Sequence, residues 1–238
     1  MSSKIEIEIV PTNTCPPNFV ELSNRSESFA RFSSQVQLDI DDGVFAPVIS
    51  WPYQNGQWTE LEEMATRAQA LPYSDILKYE THLMVEDPFH IGELLARVGC
   101  RRVIAHIESF DNAESVKDAF LAWKSAGAKE VGLAILLDTP LSSLAESIKL
   151  CDVVQIMSIA KLGSQGAQFD ARAIGRIQEL HAKYPDLMIA VDGGVSELNI
   201  AELVRAGARR FGVGSAISRS NDPASAYLRI KLVAENAI

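Results

Sequence analysis

The sequence of 238 residues has only three cysteines, Cys15, Cys100 and Cys151, odd in number and far apart. That excludes a disulfide framework and a Cys-x-x-Cys metal site, and it fits a reducing compartment. Long hydrophobic runs are missing too. The longest, Val131 to Leu137, has seven residues, against the ~20 that a membrane helix needs. The charges in Lys4 and in Ile5-Glu6-Ile7-Glu8-Ile9 deny the N-terminus the apolar core of a signal peptide. The expectation is a soluble cytoplasmic protein with no membrane partner. Basic residues are outnumbered, 22 to 31, for a net charge of −9. That speaks against a nucleic-acid partner, since phosphate neutralisation needs clustered Lys and Arg. It leaves room for a small anion, which backbone N–H groups can hold without any lysine. No Pro/Gly/Ser linker, repeat or low-complexity tract divides the chain, so one domain spanning 1–238 is expected.

Eight short runs rich in β-branched residues are present: Ile5–Val10, Val36–Ile40, Tyr79–Val85, Arg102–Ile107, Val131–Leu137, Val153–Ser158, Leu187–Asp192 and Arg210–Val213. Helical spacing follows several of them. Ile91, Leu94, Leu95 and Val98 fall at i, i+3, i+4, i+7 before a stop at Gly99. Leu141, Leu144, Ala145 and Ile148 repeat that spacing after Thr139-Pro140. Ser196 reads as the N-cap of a helix ending at Gly207, and Asp222-Pro223 as the start of the last helix. Strands alternating with helices imply parallel pairing through right-handed crossovers. Eight such units in about the 250 residues typical of the class give an α/β fold, a (β/α)8 TIM barrel. An open doubly wound sheet is the alternative, but Val10-Pro11-Thr12-Asn13-Thr14 lacks its glycine-rich fingerprint. The one irregular stretch, Asp41 to Glu60 with Trp51, Pro52, Gly56 and Trp58, would lie on the C-terminal face. There Phe45, Trp51 and Trp58 would line a lid or a subunit contact, or simply pack.

In a barrel the C-terminal strand ends carry the chemistry. These ends hold Asp39, Asp41 and Asp42 after the second run, and His82 and Met84 on the third. His106 and Glu108 end the fourth, Asp192-Gly193-Gly194 the seventh and Gly214-Ser215 the eighth. Carboxylates gathered at one apolar mouth repel unless a cation or a shared proton lies between them. The cluster therefore suggests a divalent metal or a tuned acid–base pair. The plainer alternative makes Asp41 and Asp42 loop caps and His82 a core histidine. The glycines after the last two runs let backbone N–H groups approach a phosphate, helped by a helix starting after Gly214. They could otherwise be tight turns only.

These stretches together resemble the ribulose-phosphate 3-epimerase family. Gln37-Leu38-Asp39-Ile40-Asp41-Asp42-Gly43-Val44-Phe45-Ala46-Pro47 resembles its H-I-D-V-M-D-G-x-F-V-P motif. Thr81-His82-Leu83-Met84-Val85 followed by Pro88 is similar to V-H-L-M-V-x-x-P, and His106-Ile107-Glu108 to H-x-E. Ile156-Met157-Ser158, Val191-Asp192-Gly193-Gly194-Val195 and Gly214-Ser215-Ala216-Ile217 follow in family order. The resemblance implies a barrel of the ribulose-phosphate-binding type that inverts carbon 3 of a ketose phosphate, expected as a homo-oligomer. It makes Asp39 and Asp192 the acid–base pair. It places a divalent cation (Mn, Zn, Fe, Co or Mg) on Gln37, Asp39, His82 and Asp192. Substrate and phosphate then fall to Thr12, Met84, Met157, Gly193, Gly194, Gly214 and Ser215.

Departures from the pattern are specific. Gln37 replaces a histidine ligand by a weaker, neutral one, which lowers affinity and tilts preference from zinc towards Mn or Mg. Asp41 stands where the family has methionine over the enediolate. Ala160 to Gln168 replaces N-P-G-F-G-G-Q, and Leu136-Leu137 an asparagine–proline pair. Two other readings remain. A phosphosugar lyase or decarboxylase on the same barrel would show D-x-K-x-x-D, and Asp39-Ile40-Asp41 has no lysine. A non-catalytic sugar-phosphate binder is favoured by Gln37, but such a protein has little need for two opposed carboxylates.

Overall fold

A computed structural model describes residues 6–54, 58–160, 162 and 166–238. Ile5, Gly56 and residues 161 and 163–165 of the sequence reading lie outside the described residues. Eight parallel strands close in sequence order into a barrel: β1 (Glu8–Asn13), β2 (Gln35–Asp41), β3 (Lys78–Met84), β4 (Arg102–His106), β5 (Glu130–Ile135), β6 (Val153–Met157), β7 (Met188–Asp192) and β8 (Arg210–Val213). The ring is sealed by β1 against β8, with Glu8 opposite Arg210 and Pro11 opposite Val213. Around it lie α1 (Phe19–Ala30), α2 (Thr59–Thr66), α3 (Phe89–Arg97), α4 (Ala113–Ala126), α5 (Arg172–Lys183), α6 (Ile200–Ala206), α7 (Ser215–Ser218) and α8 (Pro223–Glu235). No helix of the described residues is long and apolar enough to cross a membrane.

Seven strands begin within a residue of the expected runs. The exception is β1, which starts three residues late and runs through Pro11 to Asn13. Proline forfeits one ladder donor, but Asn13 anchors the strand end by donating to Leu22 O at 3.0 Å, beneath α1. The expected helix over Leu141–Ile148 is instead two 3-10 turns, Leu141–Leu144 and Ile148–Leu150. Serines at 142, 143 and 147 favour local side-chain bonding over a helix interior, and the turns still bury Leu144 and Ile148. The helix expected from Ser196 begins at Ile200, because Asn199 folds back to accept the Ser196 N–H and to donate to Gly194 O. Asp222 caps α8 with Pro223 in its first turn, as expected.

Alternation along the strands fills the barrel interior in three layers. Glu8, Glu80, Arg102 and Arg210 close the N-terminal end in a buried ionic plug. Above it Ile104, Ala134, Val153 and Ala190 form an apolar layer. Two residues beyond Ile104, Val153 and Ala190 come His106, Gln155 and Asp192, which with Asp39 on β2 and His82 on β3 make the floor of the C-terminal mouth.

Candidate active site

Register places the mouth residues. Asp39 on β2 pairs with His82 on β3, and Met157 on β6 with Asp192 on β7, so the two aspartates reach inward from well-separated strands. Asp192 in turn pairs with Gly212 on β8. A Cβ at Gly212 would stand 3.0 Å from Asp192 Oδ1 and 3.1 Å from Gln37 Oε1, so a side chain there would press on this constellation. Asp39, His82 and Asp192 each offer one ligand atom, all within 4.8 Å of one another.

Gln37 donates its amide nitrogen to Asp39 Oδ1 and Asp192 Oδ2, both at 2.9 Å, and so ties the carboxylates together. Its nitrogen, not the oxygen expected of a ligand, faces the pair, because the NH2 group is what two carboxylates attract. Gln155, not singled out by sequence, approaches Asp192 Oδ2 at 3.5 Å from β6. Its only signal is its place two residues before Met157, on the inward face. His82 is fully buried; its Nδ1 lies 3.2 Å from Asp192 and 3.7 Å from Asp39, aligned with neither for a hydrogen bond. Burial alone would lower its pKa, but the two carboxylates outweigh it and push it up to about 10. Burial, reinforced by Asp192, raises Asp39 to about 6 against the pull of His82 and Gln37.

Asp41 lies on the same face of β2, fully buried, and accepts the Cys15 thiol at 2.7 Å on Oδ2. Burial raises it to about 7, so a proton competes with the extra charge that the sequence placed here. Burial and the nearby aspartates hold Cys15 a thiol, well above its usual range. Cys15 itself, with a left-handed φ of 43°, was not foreseen. Asp42 has the plainer role: it caps its loop by accepting from the backbone of Val44, Phe45 and Glu86. Trp51 is a packing residue, fully buried and donating to Glu60.

Above this floor opens a cleft walled by strand ends and the loops that follow them. All the residues expected at the substrate line it: Thr12, Met84, Met157, Gly193, Gly194, Gly214 and Ser215, with Asp39 and Asp192 beneath. Gly193 and Gly194 have φ of 108° and 66°, and a Cβ on Gly194 would lie 2.8 Å from Phe169 N. Ser158 fixes this turn by donating to the carbonyls of Asp192 and Gly193. The helix expected after Gly214 is α7, a single turn whose first amides have no intrahelical partner. Thr12 adds a buried hydroxyl without a partner.

A parallel eight-stranded barrel with two carboxylates and a histidine at its C-terminal mouth, beneath a glycine-lined cleft, defines an enzyme of the (β/α)8 class. Residues 15–218 match the sequence profile described as the ribulose-phosphate 3 epimerase family, which covers most of the chain. The ribulose-phosphate 3-epimerase of Aquifex aeolicus is 31% identical over 207 residues, 85% of this chain and 86% of that one. That of Chlamydia trachomatis is 28% identical over 73% of this chain and 70% of its own. The chain belongs to the ribulose-phosphate 3-epimerase family and is an isomerase of that kind. Among solved structures, 3-hexulose-6-phosphate synthase from Salmonella typhimurium superposes with a TM-score of 0.68 over 98% of this chain and all of the other, at 15% identity. Orotidine 5'-monophosphate decarboxylase from Sulfolobus solfataricus gives 0.60 over 98% and 99%, at 11% identity. These two carry the fold alone.

Proposed function

We propose that the protein inverts carbon 3 of a ketose phosphate, ribulose 5-phosphate first among them, by proton removal to one aspartate and proton return from a second, on a single barrel domain. The observation that carries this reading is the convergence of Asp39 and Asp192 on one cleft from β2 and β7. A substrate lying between them meets one carboxylate on each face. Asp39 removes the proton beside the ketone, and Asp192 returns one from the opposite side, which inverts the carbon. While no cation is bound, Gln37 holds both carboxylates at 2.9 Å from its amide nitrogen, which sets the separation of the two bases. Met84 and Met157 cover the reacting atoms and keep water from them. The phosphate rests on the backbone of Gly193, Gly194, Gly214 and Ser215, with Thr12 near. Among the described residues that line the cleft there is no Lys or Arg, so backbone N–H groups would carry the phosphate.

Asp39, His82 and Asp192 fit a divalent cation: Nδ1 of His82 is buried and unpartnered beside two carboxylates, and Gly212 leaves space around them. Gln37 would join as the fourth ligand on turning its amide over. Three oxygens and one nitrogen favour Mn or Mg over zinc. When bound, the cation supplies positive charge beside the substrate's oxygens as negative charge develops there. Asp39-Ile40-Asp41 carries no lysine where a lyase of this barrel type has one, which disfavours the lyase reading.

The test is turnover of ribulose 5-phosphate to its carbon-3 epimer with Mn2+ present, in wild type, Asp39→Asn and Asp192→Asn. Each substitution is expected to lower kcat by about 10³-fold or more while binding persists. A rate unchanged by Asp192→Asn would overturn its role.

A further inference from the structure

His82 does not end the polar chain at the mouth. Its Nε2 lies 3.0 Å from Nε2 of His106, on the neighbouring strand β4. His106 Nδ1 is 3.1 Å from Glu108 Oε2, and Glu108 Oε1 accepts the Leu136 N–H at 2.9 Å, at the end of β5. Both imidazoles are fully buried, and Phe45 lies against the His106 ring with centroids 4.7 Å apart. No solvent reaches these nitrogens, so each proton has to be assigned within the chain. A carboxylate only accepts. Glu108 therefore accepts the N–H of His106 Nδ1, which leaves the neutral ring a lone pair on Nε2. His82 must then be the donor between the two rings, with its proton on Nε2. With the Nε2 proton held by His106, Nδ1 is the nitrogen left to give up its proton to a cation and ligate. Nδ1 has no hydrogen-bond partner and faces Asp39 and Asp192.

We infer that His106 and Glu108 are positioning residues that hold His82 as a cation ligand through Nδ1, an inference that rests on the cation reading of the Asp39–His82–Asp192 cluster. Neither residue lines the cleft. Without the His106 acceptor, the His82 proton is drawn to Nδ1 by the carboxylates, and the ligand becomes a donor pointing at the cation's place.

Titration of Mn2+ into the whole protein, followed calorimetrically without substrate, tests this. Wild type is expected to take up one Mn2+. His106→Phe keeps a buried ring but no acceptor, and should bind about 10–100-fold more weakly. His106→Gln places an amide oxygen near the position of Nε2 and should recover most of the affinity. Glu108→Leu should fall between. A packing role for His106 predicts the reverse order, Phe better than Gln, and that order or wild-type affinity in His106→Phe would overturn the inference. Should His106→Phe fail to fold, Glu108→Leu against His106→Gln carries the same comparison. No uptake of Mn2+ by wild type would overturn the cation reading itself, and this inference with it, whereas a wrong order among variants overturns this inference alone.

Discussion

At the scale of single residues, the site is governed by what shares a proton with what. Asp39 is raised to about 6 and His82 to about 10, so cation binding must displace the His82 Nδ1 proton throughout that range and the Asp39 proton as well below it. A group must be deprotonated to ligate, so affinity rises with pH. The expected dependence of log K on pH is a slope of about 2 below pH ~6 and about 1 above it; calorimetric titrations of Mn2+ from pH 5 to 8 measure it, and a flat profile contradicts the assignment. Gln37 gives a second expectation. Gln37→His restores an imidazole beside the carboxylates and should raise Zn2+ affinity by about tenfold or more; an unchanged constant in competition with a chelator argues that position 37 is not in contact with the ion. Asp39, His82 and Asp192 were legible because a charge or imidazole at the end of an apolar run needs a reason. Cys15 and Gln155 were not. A thiol and an amide are ordinary at any position, and only register and the fold of the β1 loop bring them to Asp41 and Asp192.

At the scale of elements, the strands were readable because a strand buried on both faces tolerates few polar residues and so stands out as a short apolar run rich in β-branched residues. The misreadings fall where local chemistry and packing disagree. The first apolar run ends at Val10, yet the barrel extends β1 to Asn13 and brings Thr12 to the cleft. Leu141 to Ile148 has helical spacing, but its serines and the short span between β5 and β6 allow only 3-10 turns. Helix contacts are close-packed enough to be tested. Gly92 in α3 meets Trp123 of α4, and an added Cβ would lie 2.5 Å from the indole, which is fully buried and donates to Phe89 O. Gly92→Ala is expected to cost about 1–3 kcal/mol by overpacking, seen as a Tm lower by roughly 2–10 °C, with Mn2+ affinity unchanged. An unaltered melt would show that the α3–α4 seam yields freely.

At the scale of the whole molecule, the barrel separates stability from chemistry along its axis. The N-terminal plug is a buried ion network in which Arg210, 3% exposed, binds Glu80 at 2.6 Å and also Glu8 and Gln35. Removing one partner strands a buried charge, so Arg210→Met is expected to cost about 3–5 kcal/mol in denaturant unfolding. Because the apolar layer of Ile104, Ala134, Val153 and Ala190 intervenes, turnover by the folded fraction should be unchanged; a proportionate loss of activity would contradict that separation. The net charge of −9 takes its meaning from the same geometry: most acids are dispersed, while Asp39, Asp41 and Asp192 gather at one mouth and the glycines above them suit a phosphate. The most direct measurement of the central claim is solvent exchange at the reacting carbon. Wild-type protein incubated with ribulose 5-phosphate and Mn2+ in deuterium oxide is expected to place deuterium at carbon 3 in both epimers, read by proton NMR and mass spectrometry, and to lose this in Asp39→Asn. Inversion without deuterium at carbon 3, or no exchange at all in the presence of Mn2+, would contradict removal of the proton by Asp39 and return of a different, solvent-derived one by Asp192.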